Sequence, residues 1–120
     1  MDNKDLFSDF FISWDKEAHV FTDKNGVYWE EKIIFEIIED VIRKTLKEQI
    51  KSMLGIEISE NKDGSCILTQ TCYIEENTLF LIIKAIQSVM GVKCYPHSGD
   101  EPWSWKGILT DEHIDELNSV

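Results

Sequence analysis

Arginine is almost missing from this chain: Arg43 is the only one among 120 residues. Its planar five-donor fork dominates bidentate recognition of phosphates and base edges, so the usual instrument of nucleic-acid binding is lacking. Lysine does not make up the deficit. Twelve Lys+Arg stand against 23 Asp+Glu, a net charge of −11 and a pI near 4.6. With no basic stripe to meet a phosphate backbone or an anionic bilayer, neither nucleic acid nor membrane is expected as a direct ligand.

Other absences narrow the field further. The three cysteines (Cys66, Cys72, Cys94) are odd in number and form no CxxC pair, so a disulfide framework is not expected. The first residues, MDNKDLFSDFF, carry no basic stretch followed by a long apolar run, so no signal peptide is expected. The strongest apolar run, Leu79–Ile83, stops at Lys84, far short of the roughly 18 residues a membrane span needs. The expectation is a cytoplasmic protein with reduced thiols. Glycines such as Gly55, Gly64, Gly91, Gly99 and Gly107 are isolated, so no phosphate-cradling loop is present and nucleotide use is not expected.

What remains is ordinary globular material. Hydrophobic residues make up 42% of the chain, which is enough to offset the ordering entropy of one domain spanning residues 1–120. Residues 4–14 place Leu6, Phe7, Phe10, Phe11 and Trp14 at helical spacing, predicting a short amphipathic helix. Asn25-Gly26 between two β-prone runs predicts a turn, either closing a hairpin or leading into the next helix. From about Tyr28 to Leu54 apolar residues recur every three to four positions without Pro or Gly, which predicts one long helix capped by Gly55. Its acids come first and its bases last, as the helix dipole favours.

Ile56–Ser59 and Ser65–Ile74, separated by Asn61–Gly64, read as a β-hairpin. A second, strongly apolar helix is predicted over about Glu76–Met90, with Gly91 as its cap. Val92–Tyr95 reads as a short strand ended by Pro96, and residues 97–107 as a loop. Thr110 suits the N-cap of a last helix, with Leu109 placed to staple against Ile114. The fold class is therefore α+β: a small antiparallel sheet packed on two main helices (about 28–54 and 76–90), with short terminal helices.

Catalytic and metal-binding constellations are thin. Cys94-x-x-His97 with Asp100 offers a nucleophile, a base and an orienter, which keeps a small enzyme as an alternative of another class. Such groups usually meet from distant parts of a chain, however, and no nucleophile elbow is present. Cys66, Cys72, Cys94, His19, His97 and His113 lack the paired spacing of a structural zinc site. No catalytic residue, metal ligand or cofactor is called.

The best binding candidate is the segment carrying Asp100, Glu101, Trp103 and Trp105, with Asp111, Glu112, Asp115 and Glu116 in the helix after it. Tryptophan anchors interfaces because it desolvates a large rigid area and keeps a donor. The competing reading packs both tryptophans over the core as a lid. Charge is uneven as well: residues 1–40 carry −7, residues 41–74 carry +1 and residues 75–120 carry −5. Folding that brings the two ends together would make one negative face.

In size, acidity, cytoplasmic character and lack of catalytic motifs the whole chain resembles the immunity proteins that bacteria pair with toxin nucleases, including those of contact-dependent growth inhibition. No motif of that family is aligned, and no residue role is carried over. The resemblance implies an inhibitor, not an enzyme, that covers a basic toxin cleft with carboxylates. A phage-type inhibitor that imitates DNA against a host defence complex is the alternative binding reading; it predicts carboxylates at phosphate-like intervals along an extended surface.

Overall fold

A computed structural model describes residues 13–15, 17–23, 25–96 and 105–119. The fold is α+β, with helices and two separate three-stranded sheets. The first sheet comprises β1 (Ser13–Asp15), β2 (Val20–Thr22) and β3 (Tyr28–Trp29), all antiparallel in that order. Its second hairpin is organised by Asp23. That carboxylate accepts from the Asn25 and Val27 backbone N–H groups and from Trp29 Nε1 at 2.9 Å, locking the Asn25-Gly26 turn that the sequence predicts. Ser13 and Trp14 lie in a strand and not in a helix, while the remainder of the expected N-terminal helix, residues 4–12, lies outside the described residues.

The expected long helix is two helices. Tyr28–Trp29 belongs to β3, α1 spans Glu31–Lys44 and α2 spans Lys47–Leu54. Thr45 and Leu46 are both extended between them. The break leaves Leu46 exposed and sets α2 on a new axis, so that Ile50, Met53 and Leu54 still reach the core. Gly55 closes α2 at φ +73, where a side chain is strained; a Cβ there would also lie 2.9 Å from Cys72 Sγ.

The second sheet is β4 (Ile56–Glu60), β5 (Cys66–Gln70) and β6 (Cys94–Pro96), in that order. The β4–β5 hairpin is antiparallel, with Ile58 opposite Leu68. The wholly antiparallel sheet expected from the sequence is not found, because β6 runs parallel to β5 with Cys94 opposite Cys66. The cause is α3 (Glu76–Met90), a crossover helix that carries the chain back to start β6 in the same direction as β5. Glu75 caps α3, accepting from the Asn77 and Thr78 backbone N–H groups. Of the expected 97–107 loop, residues 105–108 form a short helix, α4 (Trp105–Ile108), and residues 97–104 lie outside the described residues.

The core is built around α3. Leu79, Ile82, Ile83, Ala85 and Ile86 are buried against Ile34, Ile38, Val41 and Ile42 of α1, with Phe21 of β2 and the inner face of β4 and β5 completing the cluster. The last helix, α5 (Asp111–Asn118), is held on the other side of α3 by Leu117 and by Leu109 just before it, with Ile114 half-buried. Thr110 is its N-cap, accepting from the His113 N–H at 3.3 Å.

Candidate functional site

Along one file of α3 three polar residues come to the surface around a buried Phe80. Glu76, Phe80, Lys84 and Ser88 stand four residues apart and therefore share one stripe of the helix. Two other helices close on this stripe from its two sides. On the α1 side, Glu39 accepts a 2.7 Å hydrogen bond from the Ser88 hydroxyl, and the Lys84 ammonium lies 5.7 Å from the Phe35 ring centre. On the α5 side, Glu116 meets Lys84 Nζ at 3.1 Å, and Glu76 accepts from the Thr110 backbone N–H at 2.9 Å.

His113 completes the seam. Its ring stacks on Phe80 with centroids 4.1 Å apart and planes 12° from parallel. Nδ1 lies 3.2 Å from Glu76 Oε2, but without the alignment of a hydrogen bond. Lys84 also sits 5.6 Å from the Phe80 ring centre, so one ammonium faces two aromatic rings and one carboxylate. The seam thus brings acids from the first forty residues (Glu39) and from the last fifteen (Glu116) to one side of α3, a single turn apart.

Around this seam the exposed groups are mainly carboxylates. On α5, Asp111, Glu112, Asp115 and Glu116 are all exposed. Asp111 and Glu112 lie in the first turn, where the dipole favours them. Asp115 and Glu116 do not; they sit towards the C-terminal end of a helix that has no base in its last turn. Helix α1 differs. Two of its four acids are answered within the helix, with Lys44–Asp40 at 2.9 Å and Arg43–Glu39 at 3.7 Å. The other half of the molecule, from α2 through the β4–β5–β6 sheet, balances Glu48, Glu57, Glu60 and Asp63 against Lys47, Lys51, Lys62 and Lys93.

Of the other candidate binding residues, Asp100, Glu101 and Trp103 lie outside the described residues, and Trp105 is the first residue of α4. The His113–Phe80 stack and the Glu76 and Lys84 contacts are the part that sequence reasoning misses. A faint signal existed: Glu76, Lys84 and Ser88, three of the six polar residues of a mainly apolar helix, recur at a regular spacing of four or eight.

Cys94 is buried on β6, and its thiol is pushed up to about 12 by burial first and then by the neighbouring Cys66 thiol. A nucleophilic cysteine needs the opposite, a depressed pKa and access to solvent. His97 and Asp100, its proposed companions, lie outside the described residues. Among the described residues no three His, Cys, Asp or Glu side chains are grouped to hold a metal ion, and no helix is long and apolar enough to cross a membrane. Comparison of the chain with protein-family models, with curated proteins and with solved structures finds no match.

Proposed function

We propose that this protein is an inhibitor that binds a cationic protein partner through the acidic side of the α1–α3–α5 layer, as an immunity protein covers the basic active site of a toxin nuclease in the same cytoplasm. The observation that carries the reading is the charge of α5. Four exposed carboxylates occupy an eight-residue helix with no Lys or Arg, and two of them oppose its dipole. Helix stability does not require that arrangement, and it weakens the helix by about 0.3–1 kcal/mol per misplaced charge. A cationic partner repays it, because complementary charge steers encounter and raises association rates towards roughly 10⁸–10⁹ M⁻¹s⁻¹ at low salt.

The patch is compact: α5 sets its acids in adjacent pairs on two turns, and not at regular intervals along an extended surface. That favours one basic cleft as the target over imitation of a DNA backbone. The raised Cys94 pKa supports a binding role over a thiol-dependent enzyme.

The test is co-expression with a basic C-terminal domain encoded by an adjacent reading frame, which the proposal requires to exist. The expected result is protection of the cell and a complex whose association slows steeply as salt rises, since exposed charges are screened within about 8 Å at physiological ionic strength. A complex with salt-independent association, or no complex and no protection, contradicts the proposal.

A further inference from the structure

Of the five asparagines in the chain, Asn25 alone precedes a glycine. That pair is the one most open to self-modification, because the following residue has no Cβ to hinder approach of its nitrogen to the side-chain carbonyl. Asn25 and Gly26 are both exposed, and a Cβ built on Gly26 would meet nothing within 4 Å. Access and sterics therefore favour reaction here.

The hydrogen bonds of the turn oppose it. Ring closure needs the Gly26 nitrogen to lose its proton to solvent base and to swing towards Asn25 Cγ. That N–H instead donates to the Asp23 carbonyl at 3.0 Å. The Asn25 N–H donates to Asp23 Oδ1 at 2.8 Å, so both backbone amides flanking the Asn25 side chain are tied to one residue. Asp23 is anchored in turn. Its N–H donates to the Val27 carbonyl at 3.0 Å, Oδ1 accepts from the Val27 N–H, and Oδ2 accepts from Trp29 Nε1 at 2.9 Å. Releasing the Gly26 N–H thus means opening the end of the β2–β3 hairpin.

We propose that Asn25 is a deamidation site gated by the Asp23 clamp, unreacted while the hairpin is closed and converted when it opens. The deprotonated Gly26 nitrogen attacks Asn25 Cγ. The N–Cγ bond forms, the Cγ–Nδ2 bond breaks, and ammonia leaves, its departing nitrogen taking back a proton from solvent. Water then opens the cyclic imide at either carbonyl, leaving aspartate or isoaspartate in place of Asn25. Both products add a negative charge to the turn. Isoaspartate also lengthens the main chain by a methylene, so the Val27 and Trp29 bonds to Asp23 lose their register. The site is separate from the acidic seam and does not depend on the partner-binding proposal.

The test incubates the full chain at mildly alkaline pH, folded and in urea. Peptide mapping by mass spectrometry follows Asn25, and hydrogen exchange follows the Gly26 amide. In urea Asn25 is expected to give a mixture of isoaspartate and aspartate. In the folded chain the reaction is expected to be at least about tenfold slower, and the slowing to match the Gly26 protection factor within about threefold, because both processes wait for the same opening. Asp23→Ala, with its folded core verified by exchange of the α3 amides, is expected to react at least about threefold faster than the parent. Should Asp23→Ala not fold, the parent's reaction rate set against its Gly26 protection still decides. A folded parent that reacts as fast as the chain in urea, a slowing unrelated to Gly26 protection, a folded Asp23→Ala no faster than the parent, or aspartate without isoaspartate would each overturn the proposal.

Discussion

Helices α1 and α5 flank the same stripe of α3 and carry four carboxylates each, yet the charges do different things. Helix α1 begins with Glu31 and ends with Arg43 and Lys44, and it answers Asp40 and Glu39 internally at i+4. Its acidity is the ordinary electrostatics of a stable helix. Helix α5 has no Lys or Arg, and its one described lysine contact, Lys84 on Glu116, is borrowed from α3. Anchoring differs in the same direction: α1 buries Ile34, Ile38, Val41 and Ile42, whereas α5 buries Leu117. The lesson is that an acidic count does not locate a binding surface. Under the proposed function, charge that the local helix does not use marks that surface.

The contrast is sharpest in the core. Ile38→Ala in α1 is expected to cost about 2–5 kcal/mol of global stability by urea unfolding, because a fully buried side chain leaves a cavity. Leu117→Ala in α5 is expected instead to lower hydrogen-exchange protection of the α5 amides more than that of α3, since the helix is held at one buried position. Equal losses of global stability in the two variants would break the comparison.

Caps give an effect of intermediate size. Thr110→Ala removes the hydroxyl that accepts from His113 N–H and should cost about 1 kcal/mol. Glu30, at the corresponding position of α1, makes no side-chain cap, so Glu30→Ala should change unfolding free energy by less than about 0.5 kcal/mol. The smallest effects have opposite signs. Asp115→Lys places a base late in α5 and should stabilise the protein by about 0.3–1 kcal/mol, while Lys44→Glu in α1 should destabilise it by a similar amount, both read from thermal unfolding. A destabilising Asp115→Lys would mean that Asp115 serves the fold.

The elements most legible in the sequence are those decided within a few residues. Asn25-Gly26 forms its turn, Thr110 caps α5, and Gly55 and Gly91 end their helices in the left-handed conformation, all through local backbone chemistry. The α1–α2 break was not legible, because no Gly or Pro marks Thr45-Leu46 and the apolar spacing resumes in phase after it. The parallel β6 was hidden for another reason: strand direction depends on α3 packing as a crossover, which is a tertiary decision. The seam is less visible still. Its pairs, Lys84 with Glu116 and Ser88 with Glu39, join residues 32 and 49 positions apart, and nothing local announces them. Within the candidate site, Asp111, Glu112, Asp115 and Glu116 are exposed on α5, while the α1 contact through Glu39 emerges from the fold.

The central claim is that the surplus charge of α5, and not the total charge of the chain, drives partner capture. The direct measurement is the association rate with the basic partner domain at low and high salt for two quadruple variants of the full chain. One neutralises Asp111, Glu112, Asp115 and Glu116; the other neutralises Glu48, Glu57, Glu60 and Asp63 on the sheet half. Each changes the net charge by the same four units. The account predicts that the α5 variant associates at least about tenfold more slowly at low salt and loses most of its salt dependence, while the sheet variant stays within about threefold of the parent. Equal slowing in both variants would contradict it.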